Sequence, residues 1–300
     1  MSADLALQTR WIENRGLKLA LHSWVEGSPQ ALAIHGFMDH GQSFRWVAEA
    51  LSPTVLAAAD MRGFGHSGWV GDGGYYHFYD YYDDLGAILD GLSEPVGLIG
   101  HSMGGSIAAA VAALFPERVR WLLLLEGMGP PTSELGESAS RLGQWLRSVR
   151  RKPGPPSARR SLRRVFSSLE QGAERLRAFN PQLSIERSQA LAESFSEPAD
   201  GGWVWRADPL HRTPSAKPFL LGEARALWHR IQVPVLSLWG GEGFRPDDLS
   251  ARHAVLPRVL AGVIPGASHN VHHDRPDVVA EGIETLMAGR WRLPRDATPL

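Results

Sequence analysis

The stretch GLIGHSMGGSIAAA, Gly97–Ala110, begins as an apolar run of strand length and ends as a helix of small residues. One serine, Ser102, separates the two halves, with Gly100 and Gly104 two positions away on either side. A strand that turns at once into a helix forces the turning residue into sparsely allowed backbone space. Small neighbours let the flanking backbone approach. The strain holds the serine hydroxyl clear of the sheet, where a base and a substrate can reach it. G-x-S-x-G at a strand-to-helix junction therefore marks Ser102 as a candidate nucleophile, with an ordinary glycine–serine turn as the plain alternative.

Working outward, the surrounding chain alternates strands and helices. LKLALHSW, PQALAIHGF and TVLAAADMRGFGHS read as strands, with the helix SFRWVAEALS between the last two. YDYYDDLGAILDGL reads as a helix with Asp80 as N-cap, and RWLLLLEGMG as a buried strand. Strict alternation implies a parallel sheet with helices on both faces. From about Pro130 to Arg225 the pattern changes to helices and loops without clear strands. IQVPVLSLWGG, RHAVLPRVLAGVIPG and PDVVAEGIETLMAG then restore strand, strand and closing helix, and RWRLPRDATPL reads as a tail. The expected organisation is an α/β core at 1–129 and 226–300 with an α-helical cap inserted at 130–225.

Composition narrows the function classes. The 300 residues carry a formal charge of −1, so no global field favours nucleic acid or an anionic membrane. There is no cysteine, which removes disulfides, thiolate metal sites and a cysteine nucleophile together, and fits a reducing cytoplasm. The first residues show no signal-peptide pattern, and no run of about 18 apolar residues predicts a membrane span.

A serine nucleophile needs a base. Of twelve histidines, His269 is best placed, in a loop between the last apolar strand and the last helix. His272, His273 and Asp274 share that loop, but a loop offers no fixed ligand geometry, so no metal is expected. Backbone N–H groups of Met103, after the serine, and Phe37, after LAIHGF, are the candidate oxyanion donors. His35 reads as a hydrogen-bonding anchor of the Phe37 loop.

In this order, HGF, DMRGFGHS, GHSMGG and GASHNVHHDRP resemble the α/β-hydrolase superfamily over most of the chain. The resemblance implies an eight-stranded, mostly parallel sheet with an inserted helical cap and a Ser-His-acid triad. It carries Ser102 as nucleophile, His269 as base, and Phe37 and Met103 as oxyanion donors, with no cofactor. Asp60, Arg62 and His66 match a loop that is usually structural. One position departs: where many relatives place the acid, after PVLSLWGG, this chain has Gly243. Glu126, at the end of RWLLLLEGMGP, is the replacement, in the manner of the serine-hydrolase-like branch; Glu242, Asp247 and Asp248 are the alternatives. The other reading of Glu126 is a loop cap or a partner for cap arginines.

All five tyrosines fall within YYHFYDYY and are expected mainly to pack a loop and helix. Trp145, Trp203 and Trp205 are expected to cover the serine from the cap. The run from Arg141 to Arg164, nine basic residues and no acid, reads as a solvated face, or as a site for an anionic substrate, a membrane surface or CoA phosphates. The expected activity is ester hydrolysis of small to medium apolar substrates. Thioester, lactone and C–C bond hydrolysis use the same parts. Serine in place of aspartate at the elbow argues against dehalogenase and epoxide hydrolase chemistry. A ligand-binding protein on a hydrolase scaffold is the competing class. Nothing in the sequence reports the oligomeric state.

Overall fold

The computed structural model describes residues 6–51, 53–150 and 154–300. Residues 1–5, and Arg151 and Lys152 of the basic run with the Pro153 that follows, lie outside the described residues. The main sheet is built from β1 (Gln8–Asn14), β2 (Leu17–Ser23), β3 (Ala31–Ile34), β4 (Leu56–Ala59), β5 (Val96–His101) and β6 (Val119–Leu125). A hairpin, β7 (Ser196–Ala199) and β8 (Gly202–Trp205), stands apart; β9 (Val235–Gly240), β10 (Val259–Ile264) and β11 (Thr298–Pro299) complete the main sheet. The order is β1-β2-β4-β3-β5-β6-β9-β10-β11. From β4 to β10 every pairing is parallel; β1, β2 and β11 add antiparallel edges.

The central strands are apolar throughout because both faces are covered. In β6, Leu122 and Leu124 face a core shared with α2 (Phe78–Asp90) and α3 (Met103–Leu114), whereas Leu123 and Leu125 face one shared with α11 (Pro276–Met287). Helix α3 is made of small residues because it lies close against the sheet. A Cβ on Gly105 would sit 2.4 Å from the Cα of Gly127, just beyond β6.

Four expectations are corrected. Eight strands are joined by a ninth, because the tail folds back and Thr298 and Pro299 pair with Val263 and Gly262. Strand β1, polar and half exposed at the sheet edge, lacks the alternation that reveals β2. The 130–225 segment holds the β7–β8 hairpin, turned by Asp200-Gly201, beside α4 (Ser138–Arg150), α6 (Leu169–Phe179), α7 (Ile185–Phe195) and α8 (Leu221–Trp228). Helix α2 starts at Phe78, so Asp80 lies inside its first turn and reaches back to accept from the His77 N–H at 3.1 Å.

The basic run is less solvated than its composition suggests. Arg159 is buried in a bidentate pair with Asp208, 2.8 to 3.1 Å, and donates to the Val70 carbonyl at 2.6 Å. Arg160 and Arg163 pair with Glu197 and stack over Trp69.

Candidate active site

Three non-glycine residues in left-handed backbone space mark the ends of three adjacent parallel strands. They are Met38 (φ 58°) beyond β3, Ser102 (φ 51°) after β5 and Glu126 (φ 47°) after β6. Such conformations cost about 1–3 kcal/mol each and persist where the surrounding structure over-determines them. Here the sheet does so: the Ser102 N–H donates to the Leu125 carbonyl at 2.9 Å, and the Glu126 N–H to the Leu238 carbonyl at 3.0 Å. The only other such residue among those described, Arg15, sits in the β1–β2 hairpin turn.

Glu126 and His269 meet. Glu126 Oε2 lies 2.5 Å from His269 Nδ1, and the Glu126 side chain is fully buried while the His269 ring is 42% exposed. The same carboxylate accepts from the backbone N–H groups of Gly240 at 2.8 Å and Phe244 at 3.2 Å. Its position depends on Gly243: a Cβ there would lie 1.6 Å from Glu126 Oε1. The glycine that leaves no acid after β9 also leaves the room that the Glu126 carboxylate fills.

The His269 loop is held from beneath. His101 Nε2 donates to the His269 carbonyl at 2.9 Å, and Asp274 accepts from both the N–H and the hydroxyl of Ser268. Burial, with His272 and His269 nearby, holds the His101 imidazole well below its ordinary pKa, so it stays neutral and keeps the tautomer this bond needs. Asp39, His101 and His272 bring one ligand-type atom each within 4.8 Å of one another, as do His22, Asp60 and His66. Both groups are tied into hydrogen bonds: Asp39 accepts from Ser43, and Asp60 from the N–H groups of Gly41 and His66 while contacting His22 Nε2.

Phe37, Ser102, Met103, Glu126 and His269 all line one cavity of about 720 Å³. Met103 opens α3, where an N–H has no partner within the helix and the helix dipole favours negative charge. His35 is buried below the Phe37 loop, its Nδ1 2.7 Å from the Gly36 carbonyl and its Nε2 accepting from the Met61 N–H at 3.0 Å. The alternative acids lie elsewhere. Glu242 accepts from Gln182, Asp248 pairs with Arg252, and Asp247 is exposed.

The cavity wall corrects the aromatic reading. Four of the five tyrosines, Tyr76, Tyr79, Tyr81 and Tyr82, line it, as do Phe219, Phe244 and Trp228. Trp145, Trp203 and Trp205 do not. Trp145 packs on Tyr75, Trp205 on Phe166 and Phe195, and Trp203 bridges to Phe166. A tyrosine cluster on an amphipathic helix has two faces, and the sequence does not say which one meets empty space.

Comparison with known proteins identifies the fold. A model of the alpha/beta hydrolase fold matches residues 32–276. The chain belongs to the α/β-hydrolase fold family. It is 30% identical over 297 residues to a serine hydrolase-like protein of Danio rerio, covering 95% of this chain and 88% of that one. This places it in the serine-hydrolase-like branch of the family. It is also 30% identical over 264 residues to a 3-hydroxybutyrate-oligomer hydrolase of Cupriavidus necator, covering 82% of each. Among solved structures, the thioesterase domain from the curacin biosynthetic pathway superposes with a TM-score of 0.82 at 26% identity, covering 93% of this α/β hydrolase and all of that domain. No helix among the described residues is long and apolar enough to cross a membrane.

Proposed function

We propose that this α/β hydrolase is a cofactor-independent serine carboxylesterase for small to medium apolar esters, with Ser102, His269 and Glu126 as its triad. Residues 130–225 act as its cap. The observation that carries this reading is the 2.5 Å contact of Glu126 with His269 Nδ1, in the space Gly243 leaves open, at the wall of the cavity that Ser102 also lines. An ionised carboxylate there fixes the tautomer that presents Nε2 to the serine.

Ser102 Oγ attacks the ester carbonyl carbon as His269 Nε2 takes the hydroxyl proton. The negative oxygen of the tetrahedral intermediate is held by the N–H groups of Phe37 and Met103. The C–O bond to the alcohol breaks, the leaving oxygen takes the proton from Nε2, and an acyl-serine remains. Water, deprotonated by the same nitrogen, attacks that ester; collapse returns the carboxylic acid and free Ser102. The thioesterase domain as structural neighbour favours thioesters as the second substrate class, since they follow the same steps.

The test pairs labelling by a fluorophosphonate probe with a panel of esters of graded acyl length, thioesters and lactones included. Ser102→Ala is expected to lose labelling and to retain less than about a thousandth of wild-type turnover, with an unchanged melting temperature. Retained labelling or turnover removes Ser102 from the reaction. A wild-type chain that is neither labelled nor active favours a binding protein on this scaffold.

A further inference from the structure

Most of the cavity wall is apolar, yet four charged side chains besides the histidines reach it: Glu126, Arg141, Lys217 and Glu223. Three have partners. Glu126 is committed to His269 and two backbone N–H groups. Lys217 and Glu223 pair with each other at 2.5 Å, and Lys217 also donates to the Tyr79 hydroxyl at 2.6 Å. His211 is kept neutral, since burial pushes its pKa down to about 3.

Arg141, on α4, is different. Among the described residues its only hydrogen bond is a long one, 3.5 Å from Nη2 to Ser133 Oγ, and its buried Nε has no partner. No carboxylate among the described residues pairs with it. This contrasts with Arg159, Arg160 and Arg163 of the same basic run, each of which holds an acid. Arg141 is half-buried with its Nε enclosed; a guanidinium presents five N–H donors in a planar fork, and a buried donor left without a partner is costly. The partner that satisfies it is another planar, bidentate group.

We infer that Arg141 forms an anion subsite of the cavity, and that the natural substrate is an ester with an apolar body and a carboxylate at the end remote from the bond cleaved. The inference rests on the serine-hydrolase reading above and replaces its wholly apolar ester with one that carries a remote charge. It also accounts for a cation that an esterase for wholly apolar substrates has no use for. Because Arg141 lines the cavity, a small-molecule carboxylate rather than a membrane surface meets it.

The experiment compares two series on the full chain. One is p-nitrophenyl half-esters of straight-chain dicarboxylic acids of increasing length. The other is the p-nitrophenyl esters of the monoacids in which a methyl group replaces the far carboxylate. At one chain length or a narrow range of lengths, the half-ester is expected to exceed its neutral counterpart in kcat/KM by about tenfold to hundredfold, the size of one charge-assisted pair. The advantage should lie mainly in KM and shrink with added salt. Arg141→Gln should bring that ratio towards one, and Arg141→Lys should keep part of it. Turnover of the neutral esters with no half-ester preference at any length overturns the subsite and leaves the hydrolase standing, as does a preference that survives Arg141→Gln. No turnover of either series, with no fluorophosphonate labelling, overturns both.

Discussion

At the end of β6 the chain holds a carboxylate on a left-handed backbone. At the end of β9, the neighbouring strand, it holds glycine where many α/β hydrolases hold the acid. The two ends are complementary: Glu126 accepts from Gly240 and Phe244 N–H groups that belong to the β9 end, and its Oε1 occupies the space a Gly243 side chain would need. The difference teaches that a carboxylate carried by one strand end can be held by backbone donors of the next. The end of β9 and the loop after it supply the backbone N–H groups, and the end of β6 supplies the carboxylate.

The sharpest way to break that complementarity is Gly243→Ala. Gly243 lies outside the left-handed region, so alanine fits its backbone, and the clash falls on the Glu126 carboxylate, the far end of a side chain. We expect kcat to fall by about a hundredfold with the fold retained, measured on a short activated ester beside a melting curve. Turnover within threefold of wild type would mean that Glu126 does not need the site it occupies.

The pH range for such comparisons follows from the buried histidines. Burial lowers the pKa of His35, His101 and His273, and brings His211 to about 3 and His253 to about 4, against an ordinary 6.5. Below pH 6.5 the unfolded chain binds protons that the folded chain refuses. The stability present above that value is therefore lost as pH falls, by at most about 1.4 kcal/mol per pH unit for each such group until its folded pKa is reached. The melting temperature should drop by several degrees between pH 7.5 and pH 5; a flat profile contradicts this assignment of neutral imidazoles. Kinetic comparisons of the strand ends belong above pH 6.5.

The smallest effects are expected at the β9-side acids. Glu242→Gln, Asp247→Asn and Asp248→Asn should each cost less than about tenfold in kcat/KM, or roughly 1.4 kcal/mol of transition-state stabilisation. A larger loss at Glu242 would return the acid to the β9 loop.

Much of this site was legible in the sequence because strand ends carry strong signals. Apolar runs stop at Ser102 and Glu126, and a candidate base has few places to stand once the last strand and helix are found. The emptiness at Gly243 was legible as a missing acid but not as a filled space, because a glycine does not name its neighbour. Side-chain direction was the other gap. The tyrosines of α2 line the cavity and the tryptophans of the 130–225 segment do not, a distinction set by how helices dock rather than by composition. Strands β1, β7, β8 and β11 escaped because short or edge strands need no apolar alternation. The basic run read as one feature, although Arg159 holds Asp208, Arg160 and Arg163 share Glu197, and Arg141 pairs with no acid among the described residues.

The central claim is that Glu126 is the residue that orients His269, and Glu126→Gln tests it most directly. Glutamine keeps the shape but can donate to Nδ1, which favours the wrong tautomer of the ring. With folding verified by an unchanged melting temperature, kcat at pH 7.5 should fall by about a hundredfold to ten-thousandfold. A loss smaller than tenfold, with Ser102→Ala still inactive, would leave the serine and histidine in place and contradict the transfer of the acid to β6.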